Sequence, residues 1–259
     1  MSSPEDGDLA EAASTLAAWL RQAKRAVAFT GAGISTESGI HDFRSPGGLW
    51  TRHQPVMFED FLRDADARRR FWRQRREMMP TLLGASPNPG HLALARLEDM
   101  ERLRGVITQN IDELHQRAGS RRVLELHGTA MKVHCLSCDK RWGCAEIQRR
   151  LDDGHEELLC DACGGFLKSM TISFGQAMPA SVLMEASQWA RDSDLFIAAG
   201  SSLVVYPAAD LPAIAKRHGA RLVIINREET PLDCIADLLI RAAIGPTLGS
   251  VMRQMAITA

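Results

Sequence analysis

Ala26-Val27-Ala28-Phe29-Thr30-Gly31-Ala32-Gly33-Ile34-Ser35 is the stretch that decides the fold. Its first half is a continuous apolar run, as expected of a parallel strand covered on both faces. Its second half sets glycines directly after that strand, where they permit a tight turn and close backbone approach to a pyrophosphate. The pattern stops short of Gly-x-Gly-x-x-Gly, since position 36 is Thr, and a plain strand-to-helix turn explains it equally well. Runs of the same kind recur at Gly105-Val106-Ile107-Thr108, Val123-Leu124-Glu125-Leu126, Leu195-Phe196-Ile197-Ala198-Ala199 and Leu222-Val223-Ile224-Ile225, with a shorter one at Leu238-Leu239-Ile240. Helical segments lie between them. Asn88-Pro89 reads as a cap and first turn ahead of Leu92, Leu94, Ala95 and Leu97, and residues 179–191 and 207–218 read as helices, the second stopped by Gly219. This alternation predicts an α/β fold, a doubly wound parallel sheet whose ligands sit beyond the carboxyl ends of the strands.

Two stretches break the alternation. Residues 45–87 are Arg-rich and helical without a buried strand, and residues 129–170 carry four cysteines. The expected division is therefore a sheet domain from residues 1–44, 88–128 and 171–259, a helical insertion at 45–87 and a metal-binding module at 129–170. The two insertions would form a smaller lobe walling one side of the cleft. Within the module, Cys135/Cys138 and Cys160/Cys163 are two Cys-x-x-Cys pairs. Two such pairs supply four thiolates to one tetrahedral zinc, a reading preferred to two disulfides or free thiols. Four sulfurs leave no open position, so the zinc is expected to be structural, with Cys144 and Cys234 dispensable for it.

Composition narrows the class. A chain of 259 residues can build one sizeable core and a small satellite module, and 45% apolar content is ordinary for a globular protein. A formal net charge of -1 provides no global field for nucleic acid or an anionic membrane. The acidic start, Met1-Ser2-Ser3-Pro4-Glu5-Asp6, lacks the order of a signal peptide. The longest mostly apolar stretch, residues 195–215, is broken by Ser201, Ser202, Pro207, Asp210 and Pro212, which argues against a membrane helix. Cysteines in metal spacing suit a reducing compartment, here read as the cytoplasm. The oligomeric state is left open.

Polar residues gather where such a sheet would bind ligand. Thr108-Gln109-Asn110-Ile111-Asp112 leaves one strand end, and in extended backbone Asn110 and Asp112 point the same way; helix capping is the alternative for both. His127 ends another strand and is a candidate general base, with a structural imidazole as its alternative, and His115 and His134 take the same two readings. Gly200-Ser201-Ser202 and Asn226 follow two more strands and suit ribose hydroxyls or turns. Gly39-Ile40-His41-Asp42-Phe43-Arg44 runs into Gly47-Gly48, the composition of a surface loop or of a hinged flap that brings Arg44 to a phosphate and Phe43 over a ring.

The joint order of these segments resembles the sirtuin family over residues 20–245: Gly31-Ala-Gly-Ile-Ser35, Gly39 to Arg44, Thr108 to Asp112, Leu126-His-Gly128, the two cysteine pairs, Gly200-Ser-Ser-Leu203 and Ile225-Asn226. The resemblance implies a Rossmann-like domain and an inserted zinc-ribbon lobe enclosing NAD and an acyl-lysine protein or peptide. It implies an NAD-dependent protein-lysine deacylase, a transferase that releases nicotinamide and O-acyl-ADP-ribose. By position, Ala32, Ile40, Asn110, Ile111 and Asp112 would line the nicotinamide pocket, Phe43 would shield the ribose, and Arg44 with the turn at Gly31 would hold phosphates. Ser201, Ser202, Asn226 and Arg227 would border the adenosine ribose. Gly33, Ser35, Asp42, Gln109 and Gly200 complete the implied cofactor set, with His127 and Asn110 catalytic.

The chain departs from that pattern in three places. His41 stands where many relatives have Pro, and Gln176 ends Phe174-Gly175-Gln176 where Glu is common, which bears on peptide preference. Relatives that remove succinyl or malonyl groups carry Tyr-x-x-Arg; here the segment is Trp72-Arg73-Gln74-Arg75, so Arg75 is placed to meet an acyl carboxylate without the phenol, and a long or branched apolar acyl group stays open. ADP-ribosyl transfer to protein and simple NAD cleavage use the same pocket. A reading from another class, a nucleic-acid-binding zinc module, rests on the arginines and aromatics of residues 67–76, although such a run is more often a solvated helix face.

Overall fold

The structure, a computed structural model, describes residues 4–42 and 53–256, and of residues 4–7 the backbone alone. Helix α1 (Pro4–Gln22) leads into β1 (Ala26–Thr30), and the chain leaves β1 through a 3₁₀ segment, Ala32–Ser38. Helices α2 (Phe58–Arg63), α3 (Ala65–Gly84) and α4 (Pro89–Asp99) precede β2 (Val106–Thr108), the one-turn α5 (Leu114–Arg117) and β3 (Val123–Glu125). Next come β4 (Gly128–Cys135), β5 (Arg141–Gly143), α6 (Cys144–Asp152) and β6 (Leu167–Thr171). The chain finishes with α7 (Ala180–Asp192), β7 (Leu195–Ala199), α8 (Leu211–Arg217), β8 (Arg221–Ile225), β9 (Leu238–Ile240) and α9 (Ile244–Ala256).

Six strands form a parallel sheet in the order β3-β2-β1-β7-β8-β9. The inner strands β2, β1, β7 and β8 are almost wholly buried, and their side chains alternate between two cores. Ala26, Ala28, Val106, Leu195, Ile197 and Val223 pack with residues of α1, α4 and α9. Val27, Phe29, Ile107, Phe196, Leu222 and Ile224 pack with residues of α7 and α8. The strand order reverses between β1 and β7, where Thr30 pairs with Thr108 on one side and Ala199 on the other. The loops beyond these strand ends, at Gly31, Gln109 and Gly200, are thereby set side by side, at the position where such sheets bind ligands.

The apolar runs of the sequence all appear as strands of this sheet. Asn88 caps α4 as expected: its Oδ1 accepts from the backbone N–H groups of Gly90 and His91 at 2.9 and 3.4 Å, and Pro89 fills the first turn. The helix expected over 207–218 is shorter, a 3₁₀ turn at Ala208–Asp210 followed by α8.

A second, antiparallel sheet has the order β5-β4-β6. Phe61, Ala67, Phe71 and Trp72 of the helical segment share one core with Val133, Trp142, Ile147, Leu151 and Leu167 of the cysteine-bearing segment. Two stretches distant in sequence therefore make a single lobe. Arg68, 8% exposed, is drawn into it, bonded to Glu157 at 2.5 Å with its guanidinium 3.9 Å above the Phe166 ring.

Candidate active site

The loops at the carboxyl ends of the parallel strands open into a cavity of about 570 Å³ between the sheet and the smaller lobe. From the loop after β1 come Ala32, Gly33 and Asp42, and from the loop after β2 come Gln109, Asn110 and Ile111. His127 lines it between β3 and β4, Gly200, Ser201 and Ser202 after β7, and Asn226 and Arg227 after β8. A smaller adjoining pocket is lined by Ser35, Ile40 and Asp112, and Ala32, Asn110 and Ile111 line both. Phe43, Arg44 and the Gly47-Gly48 pair lie outside the described residues.

Besides the backbone approach to a pyrophosphate expected of them, the glycines let two loops pack closely. A Cβ on Gly33 would lie 2.7 Å from the Gly200 Cα, and one on Gly31 2.7 Å from the Gly200 carbonyl oxygen. Gly200 has φ +66°, which a side chain rarely adopts, and its own Cβ would collide with the Ile34 nitrogen. Two loop backbones from adjacent strands interlock here, joined by Gly33 N–H to the Gly200 carbonyl at 2.8 Å. Gly33→Ala is expected to force those loops apart and to cost about 2 kcal/mol or more, with NAD affinity falling as well. Urea unfolding and NAD titration check this, and a variant with unaltered stability would contradict the interlock.

Asn110 and Asp112 do converge. The Asn110 Nδ2 donates to Ser35 Oγ at 3.1 Å, and Ser35 Oγ donates to Asp112 Oδ2 at 2.7 Å. Asp112 Oδ1 also accepts from the Leu114 N–H at 2.9 Å, an Asx turn just ahead of α5, whose own cap position is Glu113. Burial raises the Asp112 carboxyl above its ordinary range, partly offset by those hydrogen bonds. Ser201 Oγ donates to Gln109 Oε1 at 2.9 Å, while Gln109 Nε2 is buried with no hydrogen-bond partner. A buried orphan donor lining the cavity fits a ribose hydroxyl, and the residues present suit NAD.

His127 Nδ1 lies 3.1 Å from the Gln109 carbonyl oxygen. A carbonyl only accepts, so the ring hydrogen sits on Nδ1 and Nε2 is the basic nitrogen. The other two histidines take their structural readings. His134 lies beside Asp139 at 3.0 Å on the surface. His115 is fully buried against His91, and burial drives their pKa values down to about 3 and about 4. Between pH 6.5 and those values the unfolded chain binds protons that the folded chain does not, so stability falls as pH falls, by up to about 1.4 kcal/mol per pH unit for each histidine. Urea midpoints between pH 7 and pH 5 should show this slope, reduced in His115→Leu; equal slopes would contradict it.

The cysteine cluster fits zinc. The four Sγ atoms of Cys135, Cys138, Cys160 and Cys163 lie within 4.8 Å of one another, with Cys135 to Cys163 at 3.5 Å and Cys138 to Cys160 at 3.7 Å. Four sulfurs placed tetrahedrally at the usual zinc distance would be about 3.8 Å apart. Cys144 packs instead beside Met131.

Apart from Arg75, which the sequence placed toward the acyl group, parts of the cavity wall carried no mark that the sequence pattern picked out. Ala242, Ala243 and Ile244 line it just beyond β9, at the same strand-end position as the other loops of the site, and the strand-end rule extended to the sixth strand would have found them. Thr171, Phe71 and Arg75 line the side made by the smaller lobe. Arg75 Nη2 donates to Thr171 Oγ1 at 2.7 Å, Nη1 is buried without a hydrogen-bond partner, and burial lowers the guanidinium pKa to about 10. Behind it Lys168 is 1% exposed and donates to the Thr171 carbonyl, with its pKa lowered to about 7 by burial and by the charge of Arg75. The arginine run of residues 67–76 offers little to a nucleic-acid strand: Phe71 and Trp72 are 5% and 2% exposed, and Arg69 and Arg76 pair with Asp66 and Asp152.

Comparison with known proteins identifies the family. The sequence profile of the Sir2 family matches residues 31–207. The chain is 50% identical over 245 residues to NAD-dependent protein deacetylase 1 of Bradyrhizobium diazoefficiens, covering 93% of this chain and 96% of that protein. It is 45% identical over 240 residues to NAD-dependent protein deacylase 2 of Archaeoglobus fulgidus, covering 91% and 93%. A solved Sir2 structure with a deacetylated p53 peptide and 3'-O-acetyl ADP-ribose superposes with a TM-score of 0.88 at 38% identity, covering 93% of this chain and 97% of that one. Another, bound to a propionylated peptide, superposes with a TM-score of 0.84 at 38% identity, covering 94% and 98%.

Proposed function

The chain belongs to the Sir2 family and is an NAD-dependent protein-lysine deacylase carrying one structural zinc, and from that premise we propose how its own residues divide the work. NAD, when bound, would supply the electrophilic ribose carbon for the reaction and nicotinamide as its leaving group. Asn110 and Asp112, tied together through Ser35, hold the nicotinamide end, with Ile40 and Ile111 as its apolar wall. Gln109 and Ser201 hold ribose hydroxyls, and Ser202, Asn226 and Arg227 border the adenosine half. Phe43 and Arg44 are assigned to ribose shielding and phosphate binding from sequence alone. With NAD bound, His127 would accept a proton from a ribose hydroxyl through Nε2, as a general base. The observation that carries this reading is the His127 Nδ1 contact with the Gln109 carbonyl, which orients the basic nitrogen.

Product analysis tests the reaction: nicotinamide and O-acyl-ADP-ribose are expected from NAD and an acyl-lysine peptide. Free ADP-ribose alone, or an ADP-ribosylated protein, would point to the other chemistries of the same pocket. The division into a sheet domain and two insertions at 45–87 and 129–170 is part of this proposal, as is a reducing, cytoplasmic setting for the zinc thiolates.

The acyl group is read from Arg75. A guanidinium that lines the cavity with one nitrogen orphaned is matched best by a carboxylate at the end of the acyl chain. Peptides bearing succinyl-lysine are expected to be turned over beside those bearing acetyl-lysine. Arg75→Met should reduce kcat/KM for the succinyl peptide by about 10-fold or more, the scale of a charge-assisted hydrogen bond, and leave the acetyl peptide within about two-fold. Absence of succinyl turnover by the unaltered protein would refute this part alone.

A further inference from the structure

A line of buried polar side chains runs beneath the cavity and has no part in the mechanism above. It begins at the cap of α4, where the Asn88 N–H donates to His91 Nδ1 at 3.3 Å. That contact makes Nδ1 the acceptor and puts the His91 hydrogen on Nε2, which is buried without a hydrogen-bond partner. The His91 ring meets the His115 ring edge-on, with centroids 4.9 Å apart. His115 Nδ1 is likewise buried and unpartnered, while its Nε2 lies 2.9 Å from Thr30 Oγ1. Thr30 Oγ1 donates to Thr108 Oγ1 at 2.9 Å, so its oxygen accepts from the His115 Nε2–H. Thr108 Oγ1 also accepts the backbone N–H of Asn110 at 3.0 Å.

The line therefore ends on the backbone of the residue whose carboxamide reaches Ser35. Thr30 and Thr108 are partners across β1 and β2, and none of His91, His115, Thr30 and Thr108 is more than 2% exposed. Water does not substitute for a lost partner at such depth, so each hydroxyl is held by its neighbours. Glu113, the residue just before α5, has a left-handed φ of 56°, so the chain turns sharply soon after Asn110. We propose that Thr108 and Thr30, anchored by His115, are positioning residues that set the turn at Asn110 and thereby aim its carboxamide at the nicotinamide amide. This rests on the assignment of Asn110 to the nicotinamide site.

The test uses nicotinamide exchange with an acetyl-lysine peptide, read together with NAD and peptide affinity, zinc content and melting temperature. Thr108→Val keeps the shape of the side chain and removes its acceptor. Exchange should fall by about 10-fold or more, the scale of a sub-ångström misplacement of an aligned group, with peptide affinity and zinc unchanged. Thr108→Ser, which restores the hydroxyl, should recover most of the loss. Thr30→Val removes the next hydroxyl along, and should reproduce a weaker version of the same defect should Thr108→Val fail to fold. Normal exchange in both valine variants, or a serine variant no better than valine, overturns the proposal. Asn110→Ala is the separate control: if it keeps normal exchange, the assignment of Asn110 fails and the proposal with it, whereas a dead Asn110→Ala beside active valine variants overturns only the positioning chain.

Discussion

Cys160→Ser/Cys163→Ser is expected to yield protein without bound zinc and without deacylase activity. The serines remove two of the four sulfurs that lie within 4.8 Å of one another, and two remaining thiolates cannot close a tetrahedral site. Loss of the metal reaches well beyond the loop that holds it. Cys135 and Cys160 belong to the same core as Phe61, Phe71 and Trp72, so the wall of the cavity that carries Arg75 loosens with them. Binding free energy at a structural zinc site is folding free energy, so the lobe should unfold while the parallel sheet retains its structure. Metal analysis, near-ultraviolet circular dichroism and activity measure the three consequences. Full zinc in the double variant would remove the assignment, and full activity without zinc would remove the coupling to the cavity. Cys144→Ser and Cys234→Ser should keep the metal.

His127→Ala should lose about 10²-fold or more in deacylation, the usual scale for removing a positioned base, while it keeps its fold, its zinc and most of its affinity for NAD. The side chain lines the cavity and is only partly buried, so its removal leaves no core void. Nicotinamide exchange should survive better than deacylation, because it precedes removal of the ribose proton. The acidic limb of the activity profile should also disappear, since a protonated imidazole accepts nothing. Stability, exchange and turnover measured on one protein separate this from a structural role, in which all three would fall together. Near-normal turnover in well-folded His127→Ala would dismiss His127 as the base.

Most of the sheet was legible because strands buried on both faces are apolar throughout, and a run such as Leu195 to Ala199 has few other uses. The sites at strand ends obey the same rule, which is why Asn110, His127, Ser201 and Asn226 stand out in the sequence without any distance to support them. What the sequence concealed depends on which loops become neighbours. Gly31 and Gly33 read as ligand glycines, and that Gly200 also presses against them shows only in the fold. The inward turn of two arginines was hidden for another reason, although Arg75 stood out by its place in the Trp72-to-Arg75 segment. Arg68 and Arg75 sit in a run of arginines that looks solvated, and only their helical spacing from Phe71 and Trp72 distinguishes the inward pair from the outward ones. Lys168 gave no signal at all, since one lysine in a short strand has no period to betray it.

The shared core of the smaller lobe also sets a schedule for biosynthesis. Phe61, Phe71 and Trp72 leave the ribosome well before Val133, Trp142 and Leu167, the residues that will cover them. At about 5–20 residues per second, that interval is seconds long, and through it the aromatic face of α3 has no partner. The last cysteine ligand, Cys163, arrives only just ahead of Leu167, so zinc capture and closure of this core fall at the same moment of synthesis. Zinc-starved cells should consequently accumulate apoprotein whose sheet is folded and whose smaller lobe is open, with zinc supply during translation deciding the yield of the closed form.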